Sequence, residues 1–103
     1  MDNSNPALRW LAITYLAKSR KHEAFYPIVK SLYTDPITVV RYVATRELGN
    51  LDDQRACPVL AQVIMKQSFG DPIPGDQYPI DADQIHDEAR EAMTKLHCQH
   101  VKQ

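Results

Sequence analysis

The sequence predicts an all-α fold, a short α-solenoid of about two and a half antiparallel helix pairs. Three observations predict it. The stretch Asp35-Pro-Ile-Thr-Val-Val-Arg-Tyr-Val-Ala-Thr-Arg-Glu-Leu-Gly-Asn-Leu51 carries a helix start, an apolar stripe and a stop signal. A weaker copy lies upstream at an offset of 32, which pairs Arg9 with Arg41, Trp10 with Tyr42, Ala12 with Ala44, Leu16 with Leu48 and Ala24 with Ala56. A third copy follows near Ile85. A shared period of this size marks a stack of helix pairs, each burying its apolar face on its neighbour.

Each element has a local reason. The first helix begins at Asn5-Pro6, with Leu8, Leu11, Ala12 and Leu16 as its apolar stripe. The second spans roughly 22–33, with Ala24, Ile28 and Leu32 inward. In the third, Asp35 caps the free amides of the first turn and Pro36 stands where no amide hydrogen is needed. Its stripe is Val40, Val43, Ala44 and Leu48, and Gly49 is placed to end it in the left-handed conformation. The fourth spans roughly 53–67, with Ala56, Leu60, Val63 and Ile64 inward. The linkers at 17–21 and 49–52 are short, so each pair packs antiparallel. The segment 69–80 holds three of the seven prolines and two of the three glycines, so it is neither regular helix nor central strand. It reads as a loop ordered by Phe69, Ile73, Tyr78 and Ile80. The last helix starts at Asp81 or Asp83 and continues the stripe with Ile85, Ala89, Ala92, Met93 and Leu96. The resulting single domain has repeat 1 at about 5–34, repeat 2 at about 35–68, the loop at 69–80 and a partial repeat 3 at about 81–103. Because no paired helix follows the last one and its apolar side is left open, the array is marginal alone, part of a larger solenoid, or completed by self-association or a partner.

Bulk composition narrows the function. Lys plus Arg (12) nearly balance Asp plus Glu (13), for a formal charge of -1. That balance excludes non-specific nucleic-acid binding, which needs a cationic surface to displace counterions. It gives an anionic membrane surface no purchase either. No apolar run approaches the ~20 residues of a membrane span. The opening Met-Asp-Asn-Ser-Asn-Pro is polar and acidic, unlike a secretory leader. Cys57 and Cys98 make no disulfide framework, which reads as a reducing, cytoplasmic setting.

Asp35-Pro36, Val40-Arg41, Ala44, Leu48-Gly49 and Leu51, followed by Ala56, Pro58 and Leu60, resemble the HEAT-like repeat named after phycobilisome lyases. The first copy departs from that pattern with Ala17 in place of the glycine, and the third with His86 in place of the arginine and Thr94 in place of the glycine. The resemblance implies a superhelix whose second helices line a concave face. It also implies a choice between an interaction module and a phycobilisome-related factor, such as a bilin lyase subunit or a degradation or assembly protein. Arg9 and Arg41 are structural residues in this reading, pairing with carboxylates in the interhelical turns; Asp35 and Asp52 are the candidates.

No catalytic constellation emerges, and no cofactor is called for. Deoxyhypusine hydroxylase, another HEAT-like protein, binds iron through His-Glu pairs on first helices. Here the register offers only Glu88, and His22-Glu23 starts a second helix. His97, Cys98 and His100 would need a fourth, distant ligand, and only Cys57 is available. The aromatic surface is the better lead. Tyr26, Val29, Lys30 and Tyr33 recur at i, i+3, i+4 and i+7 on the second helix, beside its core stripe. Gln62, Met65 and Lys66 extend the patch on the fourth. Tyr26, Lys30, Tyr33, Gln62 and Lys66 are therefore the candidate partner-binding residues, with a protein or peptide as partner, because tyrosines give large contact area at low entropic cost.

Overall fold

The computed structural model describes residues 4–66, 72–76 and 79–98. It shows five helices: α1 Pro6–Ser19, α2 Lys21–Thr34, α3 Thr38–Asn50, α4 Ala56–Met65 and α5 Ala82–Lys95. Among the described residues there is no strand. The first helices α1, α3 and α5 stack side by side, and α2 and α4 pack behind them, α2 against α1 and α3, α4 against α5 and α3. This is the solenoid of two and a half pairs that the period implies.

The helix starts show how the chain is cut. Asn5 caps α1, its Oδ1 accepting the Ala7 amide at 2.9 Å, and Pro6 opens the helix. A single residue, Arg20, separates α1 from α2. The start of α3 lies two residues later than the Asp35-Pro36 signal suggests. Asp35 instead accepts the Ile37 amide at 3.0 Å, and the first helical amide, that of Thr38, is bound by Asp76 at 2.9 Å. The Thr38 hydroxyl donates to the same carboxylate at 2.7 Å and accepts the Ile80 amide at 2.8 Å. The proline-rich loop therefore returns to cap α3, a long-range tie that no local signal discloses. Ile80 packs on the core as expected, but Ile73 is exposed, held between two prolines away from the helices. Phe69 and Tyr78 lie outside the described residues. Asp81 and Gln84 form a reciprocal capping box at the start of α5, the Asp81 amide donating to Gln84 at 3.1 Å.

The core runs through all five helices: Ile13 and Ala17; Ala24, Phe25, Ile28 and Leu32; Val40, Val43, Ala44 and Leu48; Ala56, Leu60 and Val63; Ile85, Ala89 and Ala92. The stripes expected on α2 to α5 are buried, except that Ile64 and Met93 are only half-buried. On α1 the expectation fails for Leu8 and Leu11, while Leu16 packs on the core. Leu8 and Leu11 are 48% and 56% exposed, while Ile13 and Ala17 carry the contact with the array. The reason is position: α1 has array on one side only, and its Leu8–Leu11 side has no helix over it among the described residues.

Two more expectations need correction. Gly49 lies within α3 and does not take a left-handed conformation; Asp52 does, with φ 57°. The glycine serves close approach, since a Cβ at this position would sit 2.6 Å from the Ala92 Cβ and 2.8 Å from its Cα. Gly49→Ala would normally stabilise a helix interior by ~1 kcal/mol. Here the clash with the α5 backbone reverses the sign, and a net loss of about 1–2 kcal/mol is expected in chemical denaturation. A gain in stability would show that α3 and α5 stand farther apart. The second correction concerns the cysteines. Cys57 and Cys98 form a disulfide, with Cα atoms 5.7 Å apart. The return of the chain through α5 brings residue 98 to the start of α4, so a sequence separation of 41 becomes a contact.

Candidate partner-binding face

The second-helix layer carries every residue of the candidate face. Tyr26 and Tyr33 are 67% and 48% exposed, and Lys30 is exposed between them. On α4, Met65 is exposed and Gln62 half-buried, and Lys66, the residue just past the helix, is exposed. The repeat offset sets Lys30 in register with Gln62 and Tyr33 with Met65. The structure thus leaves these side chains at the surface of one layer while their neighbours Ala24, Ile28, Leu32, Leu60 and Val63 hold the core.

Tyr26 is positioned by a cluster that sequence reasoning did not anticipate. The Arg55 guanidinium lies 4.3 Å from the Phe25 ring centre and 5.2 Å from that of Tyr26. Phe25 and Tyr26 meet edge to face at 5.1 Å. Asp53 holds the arginine from behind, with contacts of 2.7 Å to Nη2 and 3.1 Å to Nε, and Arg55 also reaches the His22 carbonyl at 3.4 Å. Asp53 is buried, and its pKa is held below the usual carboxylate value, chiefly by the hydrogen bond from Arg55, against burial, which raises it. A carboxylate with a depressed folded pKa contributes stability above its unfolded pKa and loses it as pH falls through the folded value. The cluster therefore stays intact at neutral pH and weakens in acid. It ties the start of α2 to the α3–α4 turn, so Tyr26 is presented on a rigid support. Asp53 and Arg55, two residues apart just before α4, suggest a local ion pair in the sequence, but nothing there points to the ring of Phe25 in the preceding repeat.

The structural residues divide. Arg9 pairs with Asp35 through two contacts, Nε to Oδ2 at 2.7 Å and Nη2 to Oδ1 at 3.0 Å, so Asp35 rather than Asp52 is its carboxylate. Arg41, its repeat equivalent, is buried, with only 8% of its surface exposed. Tyr42 packs toward α5; burial, then the Glu88 carboxylate, raise its pKa above the ordinary phenol value.

Among the described residues, no group of three or more His, Cys, Asp and Glu side chains is arranged to hold a metal. Cys98, considered as a ligand, is spent in the disulfide, and His100 lies outside the described residues. No described helix is long and apolar enough to cross a membrane.

The class defined by these features is a stack of short helix pairs with an exposed aromatic–cationic face on the second helices. The sequence profile of HEAT repeats matches residues 1–70, and the chain belongs to that family. No curated protein and no solved structure matches it. HEAT repeats generally mediate contacts between proteins.

Proposed function

We propose that this chain is a small non-catalytic interaction or scaffold module, and that it docks a protein or peptide segment along the α2–α4 face through Tyr26, Lys30, Tyr33, Gln62 and Lys66. The observation that carries the reading is the exposure of Tyr26 and Tyr33, with Met65 beside them, on a layer whose Ala24, Ile28, Leu32, Leu60 and Val63 are buried. Large aromatics held rigidly at a surface are the residue type on which binding energy concentrates. Tyr33→Ala combined with Tyr26→Ala is expected to weaken partner binding by at least about 2 kcal/mol in titration calorimetry, with helicity kept. Lys30→Glu serves as a second variant that leaves the Phe25–Arg55 cluster intact. Unchanged affinity in both would remove the assignment of this face.

The finer reading, a phycobilisome-related factor, rests on the Asp35-Pro36 and Val40-Arg41 motif and on the bond that the motif aspartate makes to Arg9. Mixing the chain with a phycobilin and an apo-phycobiliprotein would then change the visible absorbance; an unchanged spectrum speaks against it. A cytoplasmic setting belongs to the same proposal. In that setting the Cys57–Cys98 bond of the structure would face thiol reductants, so alkylation in freshly lysed cells should label both cysteines; cysteines protected from alkylation would speak for an oxidising compartment.

A further inference from the structure

The two ends of the array differ in kind. Gly49 faces α5, and Thr45, one turn before it, lies on the same side of α3. Val40, Val43 and Glu47 lie on the opposite side of the helix and are buried, on the flank where α1 and α2 pack. The repeat offset carries these three positions onto Leu8, Leu11 and Tyr15 of α1. There they are 48%, 56% and 70% exposed. At the other end, α5 turns Asp87, Arg90, Glu91 and Thr94 outward, all exposed and polar. The outer side of α5 is therefore polar and that of α1 apolar. The open apolar side expected on the last helix is thus found on the first.

We infer that the Leu8–Leu11–Tyr15 side of α1 is a second docking site, and that it takes an amphipathic helix with acidic flanks from a partner protein. The array itself shows what covers this face, because the equivalent face of α3 is covered by helices. The charges say which helix. The fourteen residues of α1 hold no acid, and of their two cations Arg9 is engaged by Asp35 while Lys18 is exposed. Lys18 continues the exposed stripe one turn beyond Tyr15, and a shallow depression beside Tyr15 is rimmed by Arg20, Lys21 and His22. Glu23 is the one acid on that rim, and it pairs with Arg20 at 3.3 Å. A second copy fits poorly. Placing α1 on α1 brings Lys18 no carboxylate, since the helix carries none, and three side chains fall well short of the about 800 Å² per partner of a stable dimer. Placing α1 on α5 sets apolar against polar. This site is separate from the α2–α4 face, so either can fail without the other.

The probe is a blocked helical peptide of about 18 residues with leucines at i, i+3 and i+7 and glutamates flanking them, beside a twin with lysines for the glutamates. Amide shift mapping on the full chain should show the glutamate peptide moving Leu8, Leu11, Tyr15 and Lys18. Leu11→Asp should weaken it at least about tenfold, and Lys18→Glu should shift the preference toward the lysine twin. Tyr26→Ala with Tyr33→Ala should leave this binding unchanged. No saturable shifts up to roughly 1 mM peptide, equal binding of the twins, or shifts centred on α2 and α4 would overturn the proposal. A concentration-dependent dimer that protects α1 would overturn it in favour of a second copy.

Discussion

Reducing the Cys57–Cys98 bond is expected to lower the stability of the chain by about 4 kcal/mol in the chain-entropy treatment of a cross-link. The size of the effect comes from the sequence separation of 41 that the bond closes. For a chain of this length such a loss corresponds to a fall in Tm of roughly 20 °C. The bond joins the first turn of α4 to the residues just past α5. A second contact reinforces the same junction, the Gln54 side-chain amide donating to the Leu96 carbonyl at 2.6 Å. Reduction leaves the α3–α5 packing around Ala92 in place, so the helix should stay docked while its last turn and the start of α4 loosen. Thermal melts followed by circular dichroism, with and without a thiol reductant, measure the first effect. Hydrogen exchange, fastest at the end of α5 after reduction, measures the second. Cys57→Ser with Cys98→Ser should match the reduced wild type and lose all response to reductant. A Tm indifferent to reductant would show that the two ends of the loop are held together by packing alone.

Removing Asp35 is the other large expected effect. Its side chain and that of Arg9 are only 8% and 13% exposed, and the two meet through paired hydrogen bonds. Such a pair gains little on balance when intact, because both charges have left water. Breaking it leaves a desolvated guanidinium without its carboxylate, a loss of about 3–5 kcal/mol. Asp35 also accepts the Ile37 amide ahead of α3. Asp35→Ala should therefore cost more than Arg9→Met, which removes the charge and keeps the apolar stem. The double variant should cost less than the sum of the two, with the difference read from urea denaturation as a double-mutant cycle. The contrast with the surface pairs is part of the expectation. Arg20–Glu23 and Arg90–Asp87 are mostly exposed, and their loss is worth about 0–1 kcal/mol. Additive effects of Asp35→Ala and Arg9→Met would mean that the two side chains do not depend on each other.

The repeat period made the architecture readable, because each helix in the array solves the same burial problem with the same spacing of apolar side chains. Val40, Val43, Ala44 and Leu48 point inward for the reason their spacing implies. The reading failed where burial depends on what lies outside the repeat. Leu8 and Leu11 fit the stripe as well as Val40 and Val43, yet the end of the array exposes them. Long-range ties were invisible for a related reason. Asp76 caps α3 across 38 residues, and Cys57 meets Cys98 across 41, neither with a local pattern to announce it. Gly49 carried two physically sensible readings, a helix stop and a close approach, and only the position of Ala92 decides between them. The tyrosines of α2 were legible as lying off the core stripe; Arg55, which supports Tyr26, was not, because its contact with the ring spans two repeats.

The most direct test of the proposed function places a photo-crosslinking phenylalanine analogue at Tyr33, and in a parallel chain at Asp87 on the polar outer side of α5. Both chains are irradiated in extracts of the source cells and the attached peptides are sequenced. A single protein segment captured at 33 and absent at 87 is the result expected of a docking surface on the second-helix layer. No capture at 33, or the same capture at both positions, would contradict it.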